Sequence, residues 1–182
     1  MWHKIGNTDI SREPSTMNKS LNIAILTISD TRHLSTDKSG RYLQKAVEAE
    51  HHLLVDRRWV KDDIYQMRYV VSEWIADKNI NVIITTGGTG FACRDITPEA
   101  LTPLFDKSIE GFGEMFRQIS YQSIGTSSIQ TRCLGGVANS TFIFALPGST
   151  NACKTAWDEI LASQLSSSHT PCNFVKHTMK NI

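Results

Sequence analysis

No two of the four cysteines, Cys93, Cys133, Cys153 and Cys172, form a C-x-x-C pair. That excludes a zinc knuckle and a disulfide framework, and leaves the free thiols of a reducing compartment. Charge of one sign is also missing: 19 Lys and Arg stand against 18 Asp and Glu, for a formal net charge of +1. No global field therefore calls for nucleic acid or a membrane surface, and any anion must be bound locally. No run reaches the roughly 20 apolar residues of a membrane span. The first residues lack the basic-then-apolar order of a secretion signal, so a cytoplasmic protein is expected. Neither G-x-G-x-x-G nor G-x-x-x-x-G-K-[ST] occurs, which argues against a dehydrogenase or a P-loop ATPase. His3, His51, His52, His169 and His177 include no pair with metal-ligand spacing. No repeat or biased linker divides the 182 residues, a length that suits one domain with its own core.

What the chain does have is an alternation of short apolar runs and helical patterns. Residues 1–20 are polar and aperiodic, and read as a mobile arm. Leu21 to Ser29 is nearly continuous in Ile, Ala and Leu, the mark of a strand buried on both faces. A helix follows, carrying Leu43, Ala46 and Val47, then a looser strand from Leu53 to Val60. Ile64, Met67, Val70, Val71, Trp74 and Ile75 hold the helical period over 63–77. Val82-Ile83-Ile84-Thr85-Thr86 is a third strand, and Thr97-Pro98-Glu99 starts a helix with a capping hydroxyl and a proline at its first position. Short helices are expected near Ala100 and Gly111, with another within Ser127 to Gly136. Thr141 to Leu146 is the last strand, and a helix with Ala152, Ala156, Trp157, Ile160 and Leu161 on one face completes the domain. The expectation is one α/β domain over 21–166, a three-layer open, mostly parallel sheet with helices on both faces, and an irregular tail over 167–182. Trp59, Trp74 and Trp157 are expected in the core or in subunit contacts.

In such sheets ligands bind at the carboxyl ends of the strands. Four loops should then converge: Ser29-Asp30, Lys61-Asp62-Asp63, Gly87 to Asp95, and Pro147 to Thr150. Two have glycine turns that bring bare N–H groups against an anion. Three have acids suited to Mg²⁺, which is held by one or two carboxylates together with substrate phosphates. Residue chemistry alone thus points to an α/β enzyme for a phosphorylated ligand. Cys93, beside Arg94, is read as an inert thiol.

The run Thr85-Thr86-Gly87-Gly88-Thr89-Gly90-Phe91, with Arg94-Asp95-Ile96-Thr97-Pro98-Glu99-Ala100, resembles the defining motif of the MoaB/Mog family of molybdenum cofactor biosynthesis proteins. The gephyrin G domain shares that superfamily. Ile28 to Arg32, Glu110 to Glu114, Ser128 to Asn139 and Leu146 to Thr150 match in order, so the resemblance spans about Leu21 to Leu165. Ile124 to Ser127 and Pro171 to Phe174 resemble the MoaB branch more than the Mog branch. The resemblance implies the molybdopterin-binding domain fold and adenylylation of molybdopterin with Mg-ATP, giving adenylyl-molybdopterin and pyrophosphate. It assigns Asp95 and Asp62 as the catalytic, Mg²⁺-holding acids, with Asp63 as the alternative to Asp62. Gly87, Gly88, Thr89 and Gly90 would cradle phosphate. Ser29, Asp30, Arg94, Gly148, Ser149 and Thr150 would complete the substrate and nucleotide site. A homotrimer or homohexamer is implied, with other proteins of the pathway as further partners. The alternative is a non-catalytic molybdopterin-binding or scaffold protein.

Overall fold

The computed structural model describes residues 18–178, so the expected N-terminal arm lies outside the described residues except at 18–20. Six strands form one sheet in the order β2-β1-β3-β6-β5-β4. The strands are β1 (Asn22–Ile28), β2 (Leu53–Val60), β3 (Val82–Thr86), β4 (Lys107–Ser108), β5 (Leu134–Ala138) and β6 (Thr141–Leu146). β2, β1, β3 and β6 run parallel, β5 pairs antiparallel with β6, and the edge strand β4 pairs antiparallel with β5.

Alternation along the central strands sorts the core into two layers. Ile23 and Ile25 of β1, Val82 and Ile84 of β3, and Phe142 and Phe144 of β6 face one side. There they meet Leu43 and Val47 of α1 (Lys38–Ala49), Phe112 and Phe116 of α4 (Glu110–Ile124), and Cys153 and Ala156 of α5 (Thr150–Ala156). Ala24, Leu26, Ile83, Ile143 and Ala145 face the other side. They pack on Met67, Val70, Val71 and Trp74 of α2 (Ile64–Ala76) and on Ala100 and Leu101 of α3 (Thr97–Leu101). The three-layer α/β expectation is met.

Three details differ from expectation. Ser127 to Gly136 holds no α-helix: a 3₁₀ turn, Gly125–Gln130, leads into β5. Glycine is a poor helix former, and Gly136 leaves room for the Phe105 ring, into which a Cβ would project. Thr97 does not cap α3 through its hydroxyl, because Oγ1 donates instead to the Gly87 carbonyl at 2.8 Å. The tail is not wholly irregular either. Phe174 packs on Phe142 with ring centroids 4.8 Å apart, in a 3₁₀ turn, Phe174–His177, capped by Asn173. One Phe-Val pair is too short to show a period.

The chain leaves β1 toward β2 on one side and returns to β3 on the other. That reversal opens a crevice beyond the carboxyl ends of β1 and β3, where the motif loops lie. Among the described residues no helix is long and apolar enough to cross a membrane.

Candidate functional site

The loop after β3 is held by its carbonyls and presents its N–H groups. Gly87 and Gly88 have φ of 116° and 65°, the left-handed region that glycine enters freely. The Gly87 carbonyl accepts from Thr97 Oγ1 and the Gly88 carbonyl from Thr97 N at 3.0 Å. The Thr89 carbonyl accepts from Arg132 N at 2.8 Å, and the Gly90 carbonyl from Arg132 Nε at 2.8 Å. Among the described residues, no hydrogen bond takes the N–H of Gly88, Thr89 or Gly90. Successive unpaired N–H groups in such a turn form a concavity for an anion. Gly87 belongs to it by conformation only, since its N–H donates to the Leu146 carbonyl at 3.0 Å.

The acids close around this loop. Asp62 follows β2, and its N–H donates to Asp30 Oδ1 at 3.3 Å. Its carboxyl sits under Gly88, where an added Cβ would lie 3.3 Å from Asp62 Oδ1. Burial pushes the Asp62 carboxyl above its ordinary range, and the charge of Asp95 pushes it further. Asp95 Oδ2 accepts from Ala92 N at 2.8 Å and lies close to Gly90, where a Cβ would stand 2.7 Å away. Asp63 is the N-cap of α2, accepting from Gln66 N at 2.8 Å, so its carboxylate is committed to the helix. Of the two adjacent acids, Asp62 is the one that faces the loop.

The remaining candidates divide. Arg94 pairs with the Asp30 carboxylate across the crevice mouth while staying 67% exposed. Ser29 Oγ accepts from the N–H groups of Thr31 and Arg32, and its carbonyl accepts from Trp59 Nε1 at 2.9 Å, so this turn is fixed by its own chain. The Gly148 carbonyl accepts from Arg32 Nη1 at 3.0 Å and Ser39 Oγ at 2.9 Å. Ser149 Oγ caps α5 through Ala152 N, and Thr150 Oγ1 lies 3.3 Å from Ser39 Oγ. These last residues face α1, and no hydrogen bond joins them to Asp62 or Asp95 among the described residues.

Arg132 was not foreseen as a site residue. Its Nη1 pairs with the Glu99 carboxylate, its Nη2 donates to the Asp95 carbonyl, and its guanidinium lies 5.4 Å from the Phe91 ring centroid. One side chain thus ties Gly90 to Asp95 and fixes the loop's span. Its position within Ser128 to Asn139, a stretch already matched, is the only trace of this in sequence.

Among the described residues no group of three or more His, Cys, Asp or Glu could hold a metal ion alone. Asp62 and Asp95 are nonetheless an incompletely neutralised carboxylate pair, the donor set Mg²⁺ takes when phosphate oxygens supply the rest.

Known proteins resemble this chain over most of its length. The family described as "Probable molybdopterin binding domain" matches residues 24–167. The chain is 51% identical over 158 residues to molybdenum cofactor biosynthesis protein B of Escherichia coli strain K12, covering 87% of this chain and 93% of the relative. A crystal structure of a molybdenum cofactor biosynthesis protein B superposes with a TM-score of 0.78 at 38% identity, covering 81% and 92% of the two chains. The tungsten cofactor synthesizing protein MoaB from Pyrococcus furiosus superposes with a TM-score of 0.72 at 34% identity, covering 80% and 92%.

Proposed function

The chain belongs to the molybdopterin-binding family of molybdenum cofactor biosynthesis proteins, and from that premise we propose that it adenylylates molybdopterin with Mg-ATP. A terminal phosphate oxygen of molybdopterin attacks the α-phosphorus of ATP. The bond from that phosphorus to the bridging oxygen breaks, and pyrophosphate leaves with the bond's electron pair. No covalent nucleophile from the protein is needed, so catalysis rests on positioning and on offsetting charge.

The observation that carries this reading is the loop itself: three unpaired N–H groups at Gly88, Thr89 and Gly90 beside the Asp62–Asp95 pair. The N–H groups orient a phosphate without cancelling the charge that the step moves. Asp62 and Asp95 would hold Mg²⁺, which supplies charge neutralisation on the phosphate chain when bound with the nucleotide. Burial beneath Gly88 keeps Asp62 partly out of water, which strengthens its interactions. Arg94 stands at the mouth and can exchange its Asp30 partner for phosphate. A homotrimer or homohexamer is part of the proposal.

Incubation of the protein with molybdopterin, Mg²⁺ and α-labelled ATP tests it. A labelled pterin product is expected, together with released pyrophosphate. Asp95→Asn should lower turnover about a hundredfold, the scale of losing one charge-stabilising group, while leaving pterin affinity in place. Intact pterin binding with no labelled product would sink the enzyme and leave a binding protein of the same pathway.

A further inference from the structure

A basic concavity lies away from the crevice, on the exposed face of α1. Lys38, Arg41 and Lys45 recur at intervals of three and four, so they share one helix face. With Ser35, Thr36 and Tyr42 they line a cavity of about 440 Å³ that has no carboxylate in its wall. Arg41 is braced there, its Nη2 donating to the Ser35 carbonyl at 2.8 Å. The nearby acids are engaged elsewhere: Asp158 Oδ1 accepts from Tyr42 OH at 2.8 Å, and Glu48 Oε1 from Gln44 Nε2 at 3.0 Å. Among the described residues no ion pair reaches Lys38, Arg41 or Lys45.

Three like charges in a row repel one another, and no ion pair among the described residues neutralises them. Lys38 and Lys45 are seven residues apart, about 10 Å along the helix axis. That span matches a chain of phosphates better than a single phosphate or a carboxylate. Ser39, next to Lys38, donates to the Gly148 carbonyl, so the basic face is joined to a loop at the edge of the crevice.

We propose that the α1 face binds a linear polyphosphate, either free or as the tail of a nucleotide. The site does not depend on the adenylylation reading, because neither Asp62 nor Asp95 contributes to it. The Gly88–Gly90 cradle also suits an anion by its geometry, so amide shifts are read separately at the two places.

The full chain, ¹⁵N-labelled, is titrated with inorganic tripolyphosphate and with adenosine α,β-methylene triphosphate. The amides of residues 35–45 should shift, and Lys38→Gln with Lys45→Gln should weaken that binding about tenfold. Both lysines are exposed, and Arg41→Gln serves as an independent second variant. Shifts at 35–45 with tripolyphosphate alone identify a free polyphosphate, and shifts with both ligands identify a nucleotide tail. Shifts confined to 87–90, unchanged affinity in the variants, or no shift with either ligand would overturn the proposal.

Discussion

Two acids at loop ends, Asp37 and Asp62, are treated in opposite ways by the fold. Asp37 is fully buried, yet its oxygens accept from Thr27 Oγ1 at 2.5 Å, Gly40 N at 2.8 Å and Arg57 Nη2 at 2.9 Å. Burial raises its pKa, but those three hydrogen bonds and the Arg57 charge outweigh it and hold the carboxyl below its usual range. Asp62 is less buried but has no cationic partner among the described residues, and its one opposing influence is a hydrogen bond from its own backbone. The first acid has every partner it needs within the fold. The second is left in debt to something the fold does not contain. A carboxylate kept short of partners beside another carboxylate is a site feature, whereas a satisfied one is architecture.

The largest test acts on the satisfied acid. Asp37→Asn keeps the cap of α1 but removes the charge that Arg57 pairs with, leaving a guanidinium 17% exposed without its anion. A loss of about 3 kcal/mol is expected, the lower end for a broken buried pair because Gln44 still accepts from Arg57. The sign with pH follows from the depressed pKa. Asp37 contributes stability above its ordinary 3.8, and this is lost as pH falls through its lower folded value. Denaturant unfolding from pH 7 downward should therefore show wild type and variant converging in acid. A constant gap down to the acid limb would mean that Asp37 acts through shape and not charge.

Such a contrast is only partly visible in sequence. β1, β3 and β6 were legible because their central residues are apolar on both faces, and α2 because its period is clean. β5 was hidden: Leu134-Gly135-Gly136-Val137-Ala138 has no clear alternation and a single β-branched residue, Val137, and its glycines are explained only by the aromatic rings against them. At the site, the motif located Gly87 to Gly90 and Asp95 in sequence. It could not decide between Asp62 and Asp63, since the choice turns on which carboxylate caps α2. The part played by Arg132 was invisible, because a residue that binds carbonyls distant in sequence leaves no local pattern.

Arg132 supplies the next test, since it holds the loop against which Asp62 is left unsatisfied. Arg132→Gln should lower kcat/KM about tenfold or more by loosening the span between Gly90 and Asp95. Arg132→Lys should rescue little, because an ammonium cannot reproduce the planar fork. Thermal unfolding of both variants separates loop positioning from general loss of stability. Full activity in the lysine variant would show that charge alone, and not the fork, is what the loop requires.

The smallest expected effect has the opposite sign, and it bears most directly on the contrast. A carboxyl whose folded pKa is raised opposes folding once it is ionised: the cost is absent below its ordinary 3.8 and complete above its folded value. Asp62→Asn should therefore stabilise the protein at pH 7 by on the order of half a kcal/mol, a small surface-scale change, while it lowers turnover. The gain should shrink as pH falls toward the ordinary carboxylate range, because wild-type Asp62, its pKa raised by burial and by Asp95, takes up its proton before an unperturbed carboxylate does. Urea unfolding of both proteins at pH 7 and pH 4 measures it. If Asp62→Asn instead destabilised the chain at pH 7, as Asp37→Asn is expected to do, Asp62 would be a second structural acid and the cradle at Gly88 would lose its companion charge.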